Sequence, residues 1–138
     1  MSKDLKIATI LPYKENYTFN KAQAAAIWVC DFFKHSRYND DNYIFGNTKG
    51  KDFLTKNYIN IKINNLKSKF TSSTREYCRN LVIEIKDKEF DIIEIHNRPL
   101  VFNLLKKEIN TKYIMYFHND PLSMNGSKTI NERLKLLD

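Results

Sequence analysis

Apolar residues in this chain fall into short runs of strand length and longer stretches with helical spacing, and the two kinds largely alternate. The short runs are rich in Ile, Tyr and Phe and break off at polar residues or Pro, as buried strands of a parallel sheet do. They predict strands at 5–12, 42–47, 57–63, 91–96 and 112–118.

Helix start signals precede the longer stretches. Asn20 with Gln23 forms a plausible capping pair, and Ser73 with Glu76 stands at the spacing of a capping box. Pro99 occupies a first-turn position, where its missing N–H costs little. The predicted helices cover 24–35, 73–85, 98–109 and 129–138.

The order of the predicted elements is β-α-β-β-α-β-α-β-α. Such alternation predicts an α/β domain with an open, mostly parallel sheet flanked by helices on both faces. A chain of 138 residues is long enough for one such domain. The final helix pattern ends abruptly at Asp138, which predicts a truncated chain. The first helix is expected to turn Ala24, Ile27, Trp28 and Phe32 toward the sheet.

Composition narrows the class of protein. With 42% hydrophobic and 28% charged residues, the chain resembles an ordinary soluble globular protein. The net charge of +7 comes from 18 scattered lysines and only five arginines, although arginine is the residue that phosphate and base recognition favours. We therefore expect no nucleic-acid partner. We expect a cytoplasmic protein whose lysine-rich surface allows peripheral contact with the inner face of a membrane.

Two of the predicted strands end in the same four-residue motif, His-Asn-x-Pro, at 96–99 and 118–121. One strand–helix–strand crossover joins them, so the strands lie parallel and both motifs emerge at the carboxyl edge of the sheet. Ligands of parallel α/β sheets bind at this edge. The expected crevice residues are His96, Asn97, Arg98, His118, Asn119 and Asp120.

Each of these residues also has a purely structural interpretation. Asn97 and either Asn119 or Asp120 are good helix caps before a Pro, and capping is the favoured interpretation for the asparagines. A cap needs no histidine before it, so the two histidines favour a ligand role. Arg98 stays open between ligand contact and solvated surface.

Other common chemistries lack their motifs. The chain has no glycine-rich phosphate loop, no G-x-S-x-G nucleophile turn and no H-E-x-x-H metal site. Cys30 and Cys78 stand in apolar helical stretches without metal-ligand spacing, which predicts two reduced thiols. No metal is expected.

Four segments resemble, in this order, the N-terminal half of family-four glycosyltransferases of the GT-B architecture. They are "KIATILP" (6–12), "FNKAQAAAIWV" (19–29), "DIIEIHNRPLVF" (91–102) and "YFHNDPLSMNGSKTINERLKLLD" (116–138). The resemblance implies that 1–138 is one Rossmann-like, acceptor-binding domain of a retaining transferase. It also implies a nucleotide-sugar donor bound by a C-terminal domain that this chain lacks, and no metal cofactor.

The resemblance also implies residue roles. His96 corresponds to a histidine that family members place near the transferred sugar, and His118 to a second histidine facing the cleft. The loop 13–23 carries Gln23-Ala24 where the family has adjacent glycines. Lys14 or Lys21 is therefore expected to supply the charge toward the donor phosphates.

Three functions remain open. The favoured hypothesis is half of a sugar transferase that acts on a glycan or lipid-linked acceptor, inactive alone and weakly self-associating through the surface that would meet the second domain. The second is a stand-alone α/β binding module for a nucleotide or phosphorylated ligand, using the same edge. The third is a basic nucleic-acid-binding domain.

Overall fold

A computed structural model describes residues 4–64, 66 and 71–138 of the chain. The strands of this part are β1 (Ile7–Ile10), β2 (Asn42–Gly46), β3 (Tyr58–Asn60), β4 (Ile92–His96) and β5 (Lys112–Tyr116). The α-helices are α1 (Ala24–His35), α2 (Ser73–Ile85), α3 (Pro99–Glu108) and α4 (Ile130–Leu137), with 3-10 turns at Lys86–Lys88 and Pro121–Ser123. The predicted order of elements is confirmed.

The strands form one open sheet in the order β3-β2-β1-β4-β5, and every neighbouring pair is parallel. The predicted α/β class with a mostly parallel, Rossmann-like sheet is thus confirmed. From β1 the chain moves outward through β2 to β3, then crosses to the other side of β1 for β4 and β5. Strand order therefore reverses between β1 and β4, and a crevice opens at such a switch point in open parallel sheets.

The two faces of the sheet carry different helices. Ile93 and Ile95 of β4 belong to the buried cluster formed with α2 and α3. Side chains alternate along a strand, so Glu94 and His96 point to the opposite face. On that face α1 packs over β2 and β3, against Ile44 and Tyr58. The polar side chains of β4 thus lie on the α1 face.

The predicted inner face of α1 is wrong for Ala24, Ile27 and Phe32. The buried residues of this helix are Ala25, Ala26, Val29, Cys30 and Phe33. Ile27 is 49% exposed and Phe32 is 53% exposed, and Ala24 is also exposed. Apolar residues occupy more than one face of this helix, so the spacing alone does not determine which stripe meets the sheet. The Trp28 ring does face the sheet, against His96 of β4 and Tyr116 of β5.

The helix starts also differ from the predicted caps. Gln23 is the N-cap residue of α1, but its side chain makes no hydrogen bond to the helix and accepts from Asn16 N at 3.3 Å. The Glu15 carboxylate instead accepts from Ala26 N, in the first turn, at 3.1 Å. Ser72, not Ser73, caps α2 by accepting from Arg75 N at 3.2 Å. Glu76 does not complete a capping box, because its carboxylate is buried and accepts from Asn64 N. Gln23 and Glu76 therefore do not make the capping hydrogen bonds that their local sequence predicted, because they bond to residues in other segments.

Cys30 and Cys78 are buried free thiols, as predicted. Burial raises the pKa of the Cys78 thiol to about 12. Within the described residues, none of the helices combines the length and the apolar character that crossing a membrane requires.

Candidate functional site: a histidine relay at the carboxyl edge

The register of β4 and β5 brings the two histidines together. His96, the last residue of β4, pairs with Tyr116, the last residue of β5. His118 lies two residues beyond Tyr116, and residues two apart in an extended chain share a face. Both imidazoles therefore meet on the α1 face at the carboxyl edge, as the repeated motif predicted.

A continuous hydrogen-bond chain joins Glu94, His96 and His118, and we call this chain the histidine relay. Nδ1 of His96 lies 2.7 Å from Nε2 of His118. Nε2 of His96 lies 2.5 Å from Oε1 of Glu94. A carboxylate thus stands at the inner end of the relay and an imidazole at its outer end.

In the relay with Glu94 ionised and both histidines neutral, the protons take the following positions. An ionised carboxylate only accepts hydrogen bonds, so Nε2 of His96 carries a hydrogen and donates it to Glu94. In neutral His96 the other nitrogen, Nδ1, then accepts, and Nε2–H of His118 donates to it. Neutral His118 is left with its lone pair on Nδ1, which has no hydrogen-bond partner among the described residues. The relay can therefore hold or accept a proton at this outer nitrogen.

Aromatic rings enclose the relay. The Trp28 ring lies 4.5 Å from the Tyr116 ring and 5.4 Å from the His118 ring, measured between centroids. Tyr116 stacks on His96 at 5.2 Å and contacts His118 at 4.8 Å. His96 has no exposed surface, whereas His118 keeps part of its ring accessible.

This enclosure changes the pKa of His118. Desolvation by burial lowers this pKa below its ordinary value of 6.5, the neighbouring His96 lowers it further, and Glu94 partly opposes both. His118 is therefore neutral at neutral pH. Its outer nitrogen is then a hydrogen-bond acceptor.

The expected direct contact of His96 with a ligand is not available in this structure. Both ring nitrogens of His96 face protein partners, and the ring is buried. A ligand at this edge would meet His118. The geometry makes His96 the residue that orients His118.

Asn97 joins the ends of β4 and β5. Its backbone adopts φ 53°, a left-handed conformation that Asn tolerates better than most residues. Its side-chain Oδ1 accepts from His118 N at 2.8 Å and from Asn119 N at 3.3 Å, and its own N–H donates to Tyr116 O at 2.8 Å. The favoured interpretation of Asn97 as a cap of α3 is wrong, because Arg98 is the N-cap residue. Asn97 instead holds the backbone of His118 in place.

The other residues predicted around the histidines lie at the same edge but differ in their contacts. Arg98 is exposed and donates through Nη1 to Asn97 O at 2.8 Å. Asp120 caps the 3-10 turn by accepting from Leu122 N at 3.0 Å, as its capping interpretation predicted. Asn119 is exposed and touches Asn97 through its backbone N–H.

A cleft of about 240 Å³ opens on the other side of the Asn97 turn. It separates the first turns of α2 and α3 from the loop that follows β5, and its position beside β4 matches the switch point of the sheet. Asn97 is therefore shared between the relay and this cleft. The cleft is lined by Thr74, Asn97, Arg98, Pro99, Leu100, Met124 and Asn125.

The predicted cations of the first loop stand apart from the relay. Lys14 and Lys21 are both exposed, and Lys14 lies over the Tyr13 ring at 5.4 Å. No described contact joins either lysine to the histidines. The start of α1, where a donor phosphate would be expected, already holds the Glu15 carboxylate at Ala26 N. A helix N-terminus that accepts this anion is less available to a second one.

Sequence reasoning missed Glu94 and did not assign Trp28 to the site. A signal for Glu94 was present, since a carboxylate inside an otherwise apolar parallel strand, two residues before His96, must share its face. Nothing in the sequence placed Trp28 beside β5. The contact depends on how α1 lies across the sheet.

Within the described residues no group of three or more His, Cys, Asp or Glu side chains is arranged to hold a metal ion. Comparison of this chain with protein-family models, with curated proteins and with solved structures found no match. Its function therefore has to be argued from the fold and from the relay.

Proposed function

We propose that this chain is the N-terminal, acceptor-binding half of a retaining glycosyltransferase. The enzyme would move a sugar from a nucleotide-sugar donor to a glycan or lipid-linked acceptor. The observation that carries the proposal is the histidine relay at the carboxyl edge of β4 and β5, beside the reversal of strand order. The resemblance of residues 91–138 to family-four transferases supports the same conclusion.

In this proposal His118 contacts the sugar and the two inner residues position it. The outer nitrogen of neutral His118 accepts a hydrogen bond from a sugar hydroxyl. His96 and Glu94 are positioning residues, because they fix the tautomer and the ring orientation of His118. Fixed dipoles of this kind stabilise charge that develops during transfer without having to reorganise.

Binding of the nucleotide sugar is assigned to a second α/β domain. The isolated chain is accordingly expected to transfer no sugar. The alternative of a stand-alone module for a nucleotide or phosphorylated ligand has less support, because the Glu15 carboxylate occupies the start of α1. The accessible cations of the carboxyl edge, Arg98 and Lys14, do not converge with the relay on one described pocket.

The test begins with the coding sequence beyond codon 138 and continues with the complete product. Release of nucleotide from a panel of UDP- and GDP-sugars is measured with and without added glycans. His118→Ala is expected to lower kcat about 100-fold, the order for loss of one preorganised hydrogen-bonding group at a reacting centre. His35→Ala, at the exposed end of α1, is the matched control and should leave kcat unchanged.

Two results would overturn the proposal. One is a reading frame that ends at codon 138 with no partner subunit that supplies a second α/β domain. The other is a complete, folded product that releases no nucleotide from any donor of the panel.

A further inference from the structure

A second polar site surrounds Glu76 in the first turns of α2. Glu76 is 3% exposed, and its Oε1 accepts from Asn64 N at 3.0 Å. Its Oε2 has no hydrogen-bond partner in the described part of the chain. Burying a carboxylate oxygen without a hydrogen-bond donor costs free energy. A donor from outside the chain would therefore stabilise this atom.

Glu76 lines a cleft of about 280 Å³ between α2 and the segment that follows β3. Asn80 fixes one wall by donating to Lys62 O at 2.8 Å. Lys62 and Arg79 are exposed, and neither forms an ion pair with Glu76 within the described residues. The cleft is lined by Lys62, Ile63, Asn64, Glu76, Arg79 and Asn80.

The side chains of this cleft combine one acceptor with several donors. The Glu76 carboxylate only accepts, the Lys62 and Arg79 cations only donate, and the Asn80 amide does both. A phosphate or carboxylate alone would meet the negative charge of Glu76. A divalent cation would find a single carboxylate beside two positive charges. A sugar ring fits both kinds of group, since each hydroxyl donates and accepts.

Oε2 of Glu76 has almost no accessible surface, so a ligand reaches it only when the side chain turns toward the cleft. We propose that this cleft binds a sugar ring of the acceptor, and that a hydroxyl of the ring donates to Oε2 once Glu76 has turned. The neighbouring hydroxyls accept from Lys62 and Arg79. The assignment of this sugar to the acceptor rests on the proposed function. The binding itself does not, because the cleft lies wholly within this chain.

The experiment titrates glucose, galactose, N-acetylglucosamine and glucuronate into the isotope-labelled chain and follows backbone amide shifts. At least one sugar should give saturable shifts at residues 62–64 and at Asn80, whereas erythritol at equal concentration should not. Glu76→Gln replaces the accepting oxygen by a donor and should weaken binding at least about tenfold. Glu84→Gln, on the same helix but outside this cleft, should leave the affinity unchanged.

A second pair of variants covers the case in which Glu76→Gln does not fold. Arg79→Gln on the exposed side should also weaken binding, whereas Arg75→Gln, one turn earlier and outside the cleft, should not. No saturable shift with any of the four sugars would overturn the proposal. So would equal affinity of the wild type, Glu76→Gln and Arg79→Gln.

The two proposals fail separately. Sugar binding at Glu76 with no transfer by the complete product would leave this site standing and remove the transferase function. Transfer with an acceptor KM that Glu76→Gln does not change would leave the transferase function and overturn this site.

Discussion

Glu94 stands in the middle of a strand that is otherwise apolar until its last residue, and its carboxylate forms the inner end of the histidine relay. A charged side chain in such a strand needs a partner, because desolvation penalises an unpaired charge. His96 is that partner, two residues along the same face. The negative charge of Glu94 also acts on His118, the next residue of the relay, and raises its pKa.

Glu94→Gln is expected to lower the pKa of His118 further, because the Glu94 charge is the contribution that raises it. The glutamine oxygen can still accept from His96, so the fold should persist with a loss of about 1–2 kcal/mol in the free energy of unfolding. NMR titration of the His118 ring measures the pKa. Glu84→Gln is the control, and an unchanged or higher pKa in Glu94→Gln would contradict the relay.

Asn97→Ala is expected to lower the free energy of unfolding by about 2–4 kcal/mol. The change removes two hydrogen bonds to backbone N–H groups and places a less tolerant residue at φ 53°. Chemical denaturation measures the loss. Asn97→Asp keeps an accepting oxygen and should lose less stability than Asn97→Ala. Equal stability of Asn97→Ala and the wild type would show that the turn does not depend on this side chain.

At the level of elements, the position of α1 shows why a helix with several apolar stripes is hard to orient from its sequence. Its buried stripe includes Val29 and Phe33, which pack over β2 and β3. A second apolar stripe, Trp28 with Phe32 stacked at 5.2 Å, extends toward β5. One stripe of the helix therefore packs in the core and the other lies at the site. Which stripe takes which position depends on how the helix docks on the sheet.

The loop between the 3-10 turn and α4 forms one wall of the cleft at Asn97, and Gly126 lets it approach α3. Gly126 has φ +92°, and an added Cβ would come within 3.1 Å of Pro99 Cβ. Gly126→Ala should therefore lower the free energy of unfolding by about 2–3 kcal/mol, since backbone strain and a close contact add. Thermal unfolding measures the effect.

Gly50→Ala is the matched control for this prediction. Gly50 also has a positive φ, +114°, but its added Cβ would meet only Thr18 Cγ2 at 3.7 Å, an ordinary contact. It therefore carries the backbone strain without the clash. A loss in Gly126→Ala no larger than that in Gly50→Ala would contradict the close packing of this loop on α3.

At the level of the whole molecule, the stability of the fold should depend on the protonation of His118. Its folded-state pKa lies below 6.5, so between that pKa and 6.5 the unfolded chain binds more protons at this residue than the folded chain does. The contribution of His118 to stability is therefore fully present above about pH 6.5 and is lost as the pH falls toward the lowered pKa.

His118→Phe keeps an aromatic ring beside Trp28 and removes the titrating group. Its free energy of unfolding should fall less steeply with decreasing pH through this window than that of the wild type, whatever its stability at neutral pH. Denaturation at a series of pH values measures the slope. Identical slopes for His118→Phe and the wild type would contradict the lowered pKa.

The sequence alone determined the class of the fold, because hydrophobic period and element length are local properties that the described structure keeps. It also predicted that His96 and His118 would meet, since parallel strands joined by one crossover end at the same edge. Two of the helix N-caps predicted from local sequence are not formed in the folded chain. Glu76 and Gln23 found partners distant in sequence, at Asn64 and Asn16.

Tertiary structure alone decided which histidine is accessible. His96 becomes the buried middle of the relay only because Trp28 and Tyr116 close over it from two other elements. It also decided that Asn97 holds a turn instead of capping a helix, and that one oxygen of Glu76 has no donor among the described residues. Burial and hydrogen-bond partners arise from contacts between segments far apart in the chain, whereas hydrophobic patterning is fixed within each segment.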